Sequence, residues 1–215
     1  MRIKKITAFV LVMALAMAPC TAHAAQRVQL KVRYMDDAAS AALPTAREEA
    51  ANILVTAVPA DMIQYFTDHH GTIYIGSWDG SGGQTMLAID EKMKPQIPDV
   101  VYKDYPLDMY VNAKDMAYGF LDDYLIHEFG HVFDARYGIT RNPAYDAVIA
   151  AEIPAITQAN LGIITDPMHY ATTPEAFAQV YAAYRGGKNI VGGEATLNAA
   201  PQTVQIIKAF EGRSN

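Results

Sequence analysis

Alternation of polar and apolar residues predicts β-strands in the first half of the chain. Residues 26–34 alternate with a period of two, which is typical of a strand with one buried face. Residues 72–78 are rich in β-forming side chains and run into a glycine-rich segment at 79–83, as expected for a strand followed by a loop. Residues 107–112 alternate again, like an exposed edge strand. The pattern therefore predicts a small mixed sheet.

A spacing of three and four between apolar residues predicts helices elsewhere. The longest such stretch runs from Asp115 to about Tyr137, and Gly138 closes it. Shorter helices are predicted for residues 45–58, 59–71, 143–153, 173–185 and 201–210. Strands come early and helices dominate the second half, so we expect an α+β domain with a central long helix and a helical C-terminal half.

The first 24 residues have the pattern of a secretory signal peptide. A basic start at residues 2–5 precedes an apolar run at 6–18, and the small-residue sequence Ala22-His23-Ala24 follows. The apolar run is too short to cross a bilayer, which takes roughly 20 residues. We expect cleavage near Ala24, which would leave residues 25–215 as a single secreted domain without a stable membrane anchor. Lipidation at Cys20 is disfavoured because Pro19 precedes it.

Removal of this segment changes the composition of the mature chain in two ways. It takes away Cys20, the only cysteine, so no disulfide can form and stability depends on the core or on a metal. It also removes three positive charges, which changes the formal net charge from −6 to −9. An acidic chain without basic clusters argues against nucleic acid or an anionic membrane as the partner.

The sequence His127-Glu128-Phe129-Gly130-His131 lies within the predicted long helix. Histidines four residues apart share one helix face, so His127 and His131 can present two ring nitrogens to one tetrahedral zinc ion. Glu128 lies beside His127, where a carboxylate can take a proton from a water molecule that zinc activates at about pH 7. This spacing predicts a zinc-dependent hydrolytic site with one Zn²⁺.

A catalytic zinc ion of this kind needs a third protein ligand. Downstream candidates are Asp134, Glu152, Asp166, His169, Glu175 and Glu194. Asp134 follows His131 by three residues and is better placed to hydrogen-bond a ligand histidine than to reach the metal. Glu152 lies at close to the spacing of thermolysin-like enzymes, although the Asn-Glu-x-x-Ser-Asp context of those enzymes is absent. From the residues alone, Glu152 stays a rival to Glu175.

Two blocks of the chain resemble the catalytic domain of anthrax toxin lethal factor and its secreted relatives, the Pro-Pro endopeptidases. Residues 127–134 match the family pattern His-Glu-x-x-His-x-x-Asp, and residues 175–181 resemble its Glu-Phe-Phe-Ala-Glu-(Ala/Ser)-Phe. Residues 201–205 also resemble the closing Pro-x-Thr helix. The resemblance implies a zincin-like fold in which Glu175 is the third zinc ligand. It further implies Tyr170 as the donor to the oxyanion, and Gln179 in place of a glutamate that supports the ligands.

These observations lead to two functional hypotheses. The first is a secreted, monomeric zinc endopeptidase that acts on a protein or peptide substrate. In that case residues 107–112 would bind substrate backbone by strand addition, and Trp78 with the glycine-rich segment would close over it. The second is a zincin-like binding module that keeps zinc without turning over, which the presence of Gln179 suggests. Preference for Pro-Pro sites depends on upstream residues and is left open.

Overall fold

The computed structural model describes residues 30–76, 84–87, 107–113, 121–161, 171–187, 190 and 192–212. Several features predicted from the sequence lie outside these residues. They are the signal peptide, Trp78 with the glycine-rich segment, Asp166, His169 and Tyr170.

Four short strands form one mixed sheet. They are β1 (Lys31–Tyr34), β2 (Thr72–Gly76), β3 (Gln84–Leu87) and β4 (Leu107–Asn112), arranged in the order β1-β2-β4-β3. Strands β1, β2 and β4 run parallel, and β3 is antiparallel to β4. The predicted small mixed sheet is therefore confirmed.

The prediction that residues 107–112 form an edge strand is wrong. Strand β4 has β2 on one side and β3 on the other, and β3 occupies the edge position. The alternation arises because Leu107, Met109 and Val111 are buried, whereas Asp108 and Tyr110 are partly exposed. A strand with a single buried face gives this pattern at any position in a sheet, so strand addition to β4 is no longer supported.

Eight helices account for most of the described residues. They are α1 (Asp37–Ala42), α2 (Ala46–Ala57), α3 (Ala60–Asp68), α4 (Leu121–Tyr137), α5 (Pro143–Ala159), α6 (Thr173–Gly186), α7 (Gly193–Ala199) and α8 (Pro201–Glu211). The sequence predicts all of them except α1 and α7. Helix α5 continues beyond Ile153 to Ala159 and contains Pro154 on its exposed side. The mixed α+β class and the helical C-terminal half are confirmed.

Helix α4 lies at the centre of the fold and has its most extensive contact with α6. Aromatic rings fill the C-terminal part of this contact: Phe133 lies 6.2 Å from Phe177 and 5.0 Å from Tyr181, measured between ring centroids. All three side chains are fully buried. This packing fixes the two helices side by side and so determines which polar residues meet at their other end. Within the described residues, no helix has the length and apolar character needed to span a membrane.

Candidate metal centre

Helices α4 and α6 together bring three ligand-type side chains to one point. His127 and His131 come from successive turns of α4, and Glu175 comes from the first turn of α6. The Oε2 atom of Glu175 lies 3.2 Å from Nε2 of His127 and 3.5 Å from Nε2 of His131. One ligand atom from each residue lies within 4.8 Å of the others, so this group could hold a metal ion.

A close approach of the two helices at Gly130 makes this convergence possible. A Cβ atom built on Gly130 would lie 2.6 Å from the Cα atom of Ala178 and 3.0 Å from its carbonyl oxygen. Such distances are well inside van der Waals contact with backbone that cannot move aside. The glycine between the two histidines is therefore required by the packing of α4 on α6. The sequence signal for this contact was the glycine within the motif together with the alanine-rich face of α6.

The separations of Glu175 Oε2 from the two histidine nitrogens fit a tetrahedral zinc ion. With zinc bonds of about 2.0–2.2 Å to nitrogen and oxygen, neighbouring ligand atoms in a tetrahedron lie about 3.3–3.5 Å apart. The observed separations of 3.2 and 3.5 Å agree with these values. The two imidazole rings stand edge to face, with centroids 5.0 Å apart and planes at 79°. Two imidazoles and a carboxylate are also a common donor set for catalytic zinc.

The first turn of α6, which carries Glu175, is tied to a neighbouring helix. The hydroxyl of Thr173 donates a hydrogen bond of 2.5 Å to Oδ1 of Asp146 on α5. Pro174 occupies the first turn of α6, where a missing backbone N–H costs nothing. These two features fix the start of α6 and therefore the position along α4 at which Glu175 faces the histidines.

The charges in the site complement one another. Burial alone would raise the pKa of Glu175, but hydrogen bonds from His127 and His131, with their charges, hold that pKa well below its ordinary value. Burial lowers the pKa of His131, yet the hydrogen bond with Glu175 and the charges of Glu128, Glu175 and Asp134 raise it overall. Glu175 is therefore ionised, which is the form that binds a cation.

Gln179 supports His127 from the side opposite Glu175. Its Oε1 atom lies 3.3 Å from Nδ1 of His127, and both side chains are buried. The sequence prediction that Gln179 contacts a ligand histidine agrees with this position. Gln179 and Glu175 thus contact the two different ring nitrogens of His127, with Nε2 facing Glu175.

Asp134 interacts with the site through charge, whereas its described hydrogen bonds lie elsewhere. The backbone N–H and the hydroxyl of Thr140 donate to its two carboxylate oxygens, at 2.8 and 2.5 Å. Thr140 follows the end of α4, so Asp134 closes the turn that leaves this helix. The sequence predicts that Asp134 accepts a hydrogen bond from a ligand histidine. Both of its described hydrogen bonds instead come from Thr140.

The carboxylate of Glu152, the rival third ligand, is hydrogen-bonded to another helix. Its carboxylate accepts the backbone N–H of Gln202 at 2.8 Å and that of Thr203 at 3.0 Å, together with the Thr203 hydroxyl at 2.6 Å. These are the first N–H groups of α8, whose N-cap residue Ala200 has no side chain able to cap them. Glu152 therefore caps α8 and does not join the histidine cluster. Glu194, another candidate, lies exposed on α7.

Glu128 lies in the buried part of α4, between the two histidines in sequence. Only 4% of its surface is exposed, and its charge contributes to the raised pKa of His131. A buried carboxylate this close to the ligand group is suitably placed for proton transfer.

Comparisons with the known protein families, with curated proteins and with solved structures found no match for this chain.

Proposed function

We propose that this protein is a secreted zinc-dependent endopeptidase with a zincin-like fold. The observation that carries the proposal is the convergence of His127, His131 and Glu175, with the buried Glu128 on the same helix. Within the part of the chain that the structure describes, the cluster has three ligand residues. Three is the number of protein ligands in catalytic zinc sites, which keep one position for water or substrate, whereas structural sites use four.

The three ligands would hold one zinc ion. When bound, zinc supplies Lewis-acid chemistry: it makes water nucleophilic near neutral pH and polarises the carbonyl of a substrate. The separations of Glu175 Oε2 from the two histidine nitrogens would suit such an ion with α4 and α6 in their present positions.

The residues of the chain carry out the proton transfers. Glu128 accepts a proton from the attacking water as the water adds to the scissile carbonyl, and it then delivers that proton to the leaving amine. The peptide bond is cleaved and one water is consumed, which leaves a carboxylate and an amine. Tyr170 stays the predicted donor to the oxyanion. The resemblance to lethal factor and the Pro-Pro endopeptidases supports the same assignment of roles.

The place of action follows from the start of the chain. The basic, apolar and small-residue pattern of residues 1–24 supports export, and we propose that the mature domain works outside the cell. A protein or peptide is the proposed substrate.

The test compares purified mature protein with the variant Glu128→Gln, which keeps the size of the side chain but cannot accept the proton. Zinc content is measured by elemental analysis, and cleavage of a diverse peptide library is followed by mass spectrometry. We expect one zinc per chain in both proteins and cleavage by the wild type alone, with a loss of at least about a hundredfold in the variant. Glu48→Gln, a change of an exposed residue on α2, is the matched control and keeps full activity.

Two results would overturn the proposal. One is a wild-type protein that holds no zinc, and the other is undiminished cleavage by Glu128→Gln. Zinc in the wild type without cleavage of any library peptide would instead favour the binding-module hypothesis.

A further inference from the structure

Gln179 is the side chain that contacts His127 on the side opposite Glu175. It lies one turn after Glu175 on α6, with only 7% of its surface exposed. Its Oε1 atom lies 3.3 Å from Nδ1 of His127. This buried contact holds the imidazole ring in one orientation.

This contact leaves Nε2 of His127 facing Glu175. Nε2 of His127 and Oε2 of Glu175 are 3.2 Å apart, and Nε2 is a nitrogen through which an imidazole can bind zinc. Gln179 thus orients His127 for metal binding.

The neutral charge of Gln179 has a second consequence. Many zinc-binding histidines donate to a carboxylate, which makes the imidazole a stronger ligand, and changes of such outer partners alter metal affinity about ten- to a hundredfold. An amide accepts the same hydrogen bond but draws the proton less strongly. The candidate metal centre already includes two carboxylates, those of Glu128 and Glu175.

We propose that Gln179 is a positioning residue that orients His127 and, being uncharged, keeps the zinc affinity below that of a carboxylate-supported site. The inference rests on the proposed zinc site, and it concerns affinity and exchange rather than the hydrolytic step.

The experiment measures zinc affinity by competition with a chromogenic chelator, at one fixed pH, for the wild type, Gln179→Glu and Gln179→Met. We expect Gln179→Glu to bind zinc about tenfold more tightly and to release it more slowly to excess chelator. Gln179→Met keeps the length of the side chain without an acceptor, and we expect binding about ten- to a hundredfold weaker. The visible absorption of Co²⁺-loaded protein should differ among the three, because the histidine ligand itself is altered.

Matched controls separate the local effect from general charge. Gln158→Glu makes the same chemical change at an exposed position on α5, and its zinc affinity should equal that of the wild type. If Gln179→Met does not fold, as judged by circular dichroism, Gln179→Glu alone decides the matter.

The outcomes also separate this inference from the proposed function. If the wild type binds zinc no better than His127→Ala, the zinc site itself is refuted. If the wild type binds zinc but Gln179→Glu shows the same affinity and release rate, the inference about Gln179 alone is overturned. Weaker binding by Gln179→Glu would overturn it as well.

Discussion

Two contacts between helices each contain a glutamate, and the two glutamates differ in their hydrogen-bond partners. Between α5 and α8, Glu152 accepts three hydrogen bonds from the start of α8. Between α4 and α6, Glu175 faces two imidazole nitrogens. Backbone N–H groups cannot give up their protons, so Glu152 is satisfied permanently. Imidazole nitrogens can bind a metal ion as well as a proton, so Glu175 belongs to a group that could hold a metal.

The largest expected effect comes from Glu175→Ala. Removal of a ligand should weaken zinc binding by more than about a hundredfold, since changes of outer partners alone reach that size. The free energy of unfolding of the metal-free protein should change much less than for loss of Glu152, because Glu175 is partly exposed. Chelator competition and denaturant titration of the apo-protein measure the two quantities. Unchanged zinc affinity would show that the two glutamates do not differ as described.

The reciprocal change, Glu152→Ala, should act on stability and leave the metal alone. It deprives two N–H groups and one hydroxyl of a charged acceptor, which should lower the free energy of unfolding by roughly 2–4 kcal/mol. One zinc per folded chain should still bind. Urea unfolding and zinc titration under native conditions check both parts. A folded variant that has lost its zinc would revive Glu152 as a ligand.

A smaller effect is expected for Gly130→Ala, which tests the helix contact that brings the ligands together. Helix propensity alone favours alanine over glycine by about 1 kcal/mol. The close approach to the Ala178 backbone predicts instead that the substitution destabilises the protein. The free energy of unfolding should fall by about 1–3 kcal/mol, and zinc binding should weaken. Thermal unfolding of the metal-free variant shows whether the substitution stabilises or destabilises the fold. A more stable variant with normal zinc affinity would mean that α4 and α6 do not require glycine here.

The sequence predicts which helices and strands form better than it predicts which of them lie side by side. Apolar spacing identifies α4, α6 and α8 because each buries one face, and it identifies β4 for the same reason. It places β4 at an edge because alternation reports a buried face and contains no information on which strands lie beside it. Strand β3 is missed since its four residues follow a glycine-rich segment and show no distinct period.

The candidate metal centre likewise combines residues that a local pattern predicts with residues that only long-range contacts determine. His127, Glu128 and His131 are predictable because one helical turn sets their relation. Which of Glu152 and Glu175 faces the histidines depends on the positions of α8 and α6, which lie far from the motif along the chain. Residue spacing alone leaves both glutamates as candidate third ligands. Resemblance favours Glu175, whereas the capping of α8 by Glu152 is a long-range contact without a local signal. The pairing of Asp134 with Thr140 is likewise decided by the turn after α4.

Anomalous diffraction at the zinc absorption edge, from crystals of the metal-loaded mature protein, tests the proposed zinc site most directly. We expect one peak per chain, about 2.0–2.2 Å from an imidazole nitrogen of His127, an imidazole nitrogen of His131 and a carboxylate oxygen of Glu175. No other protein atom should complete the coordination. A peak held by other residues, a fourth protein ligand, or no peak at all would contradict the proposed site.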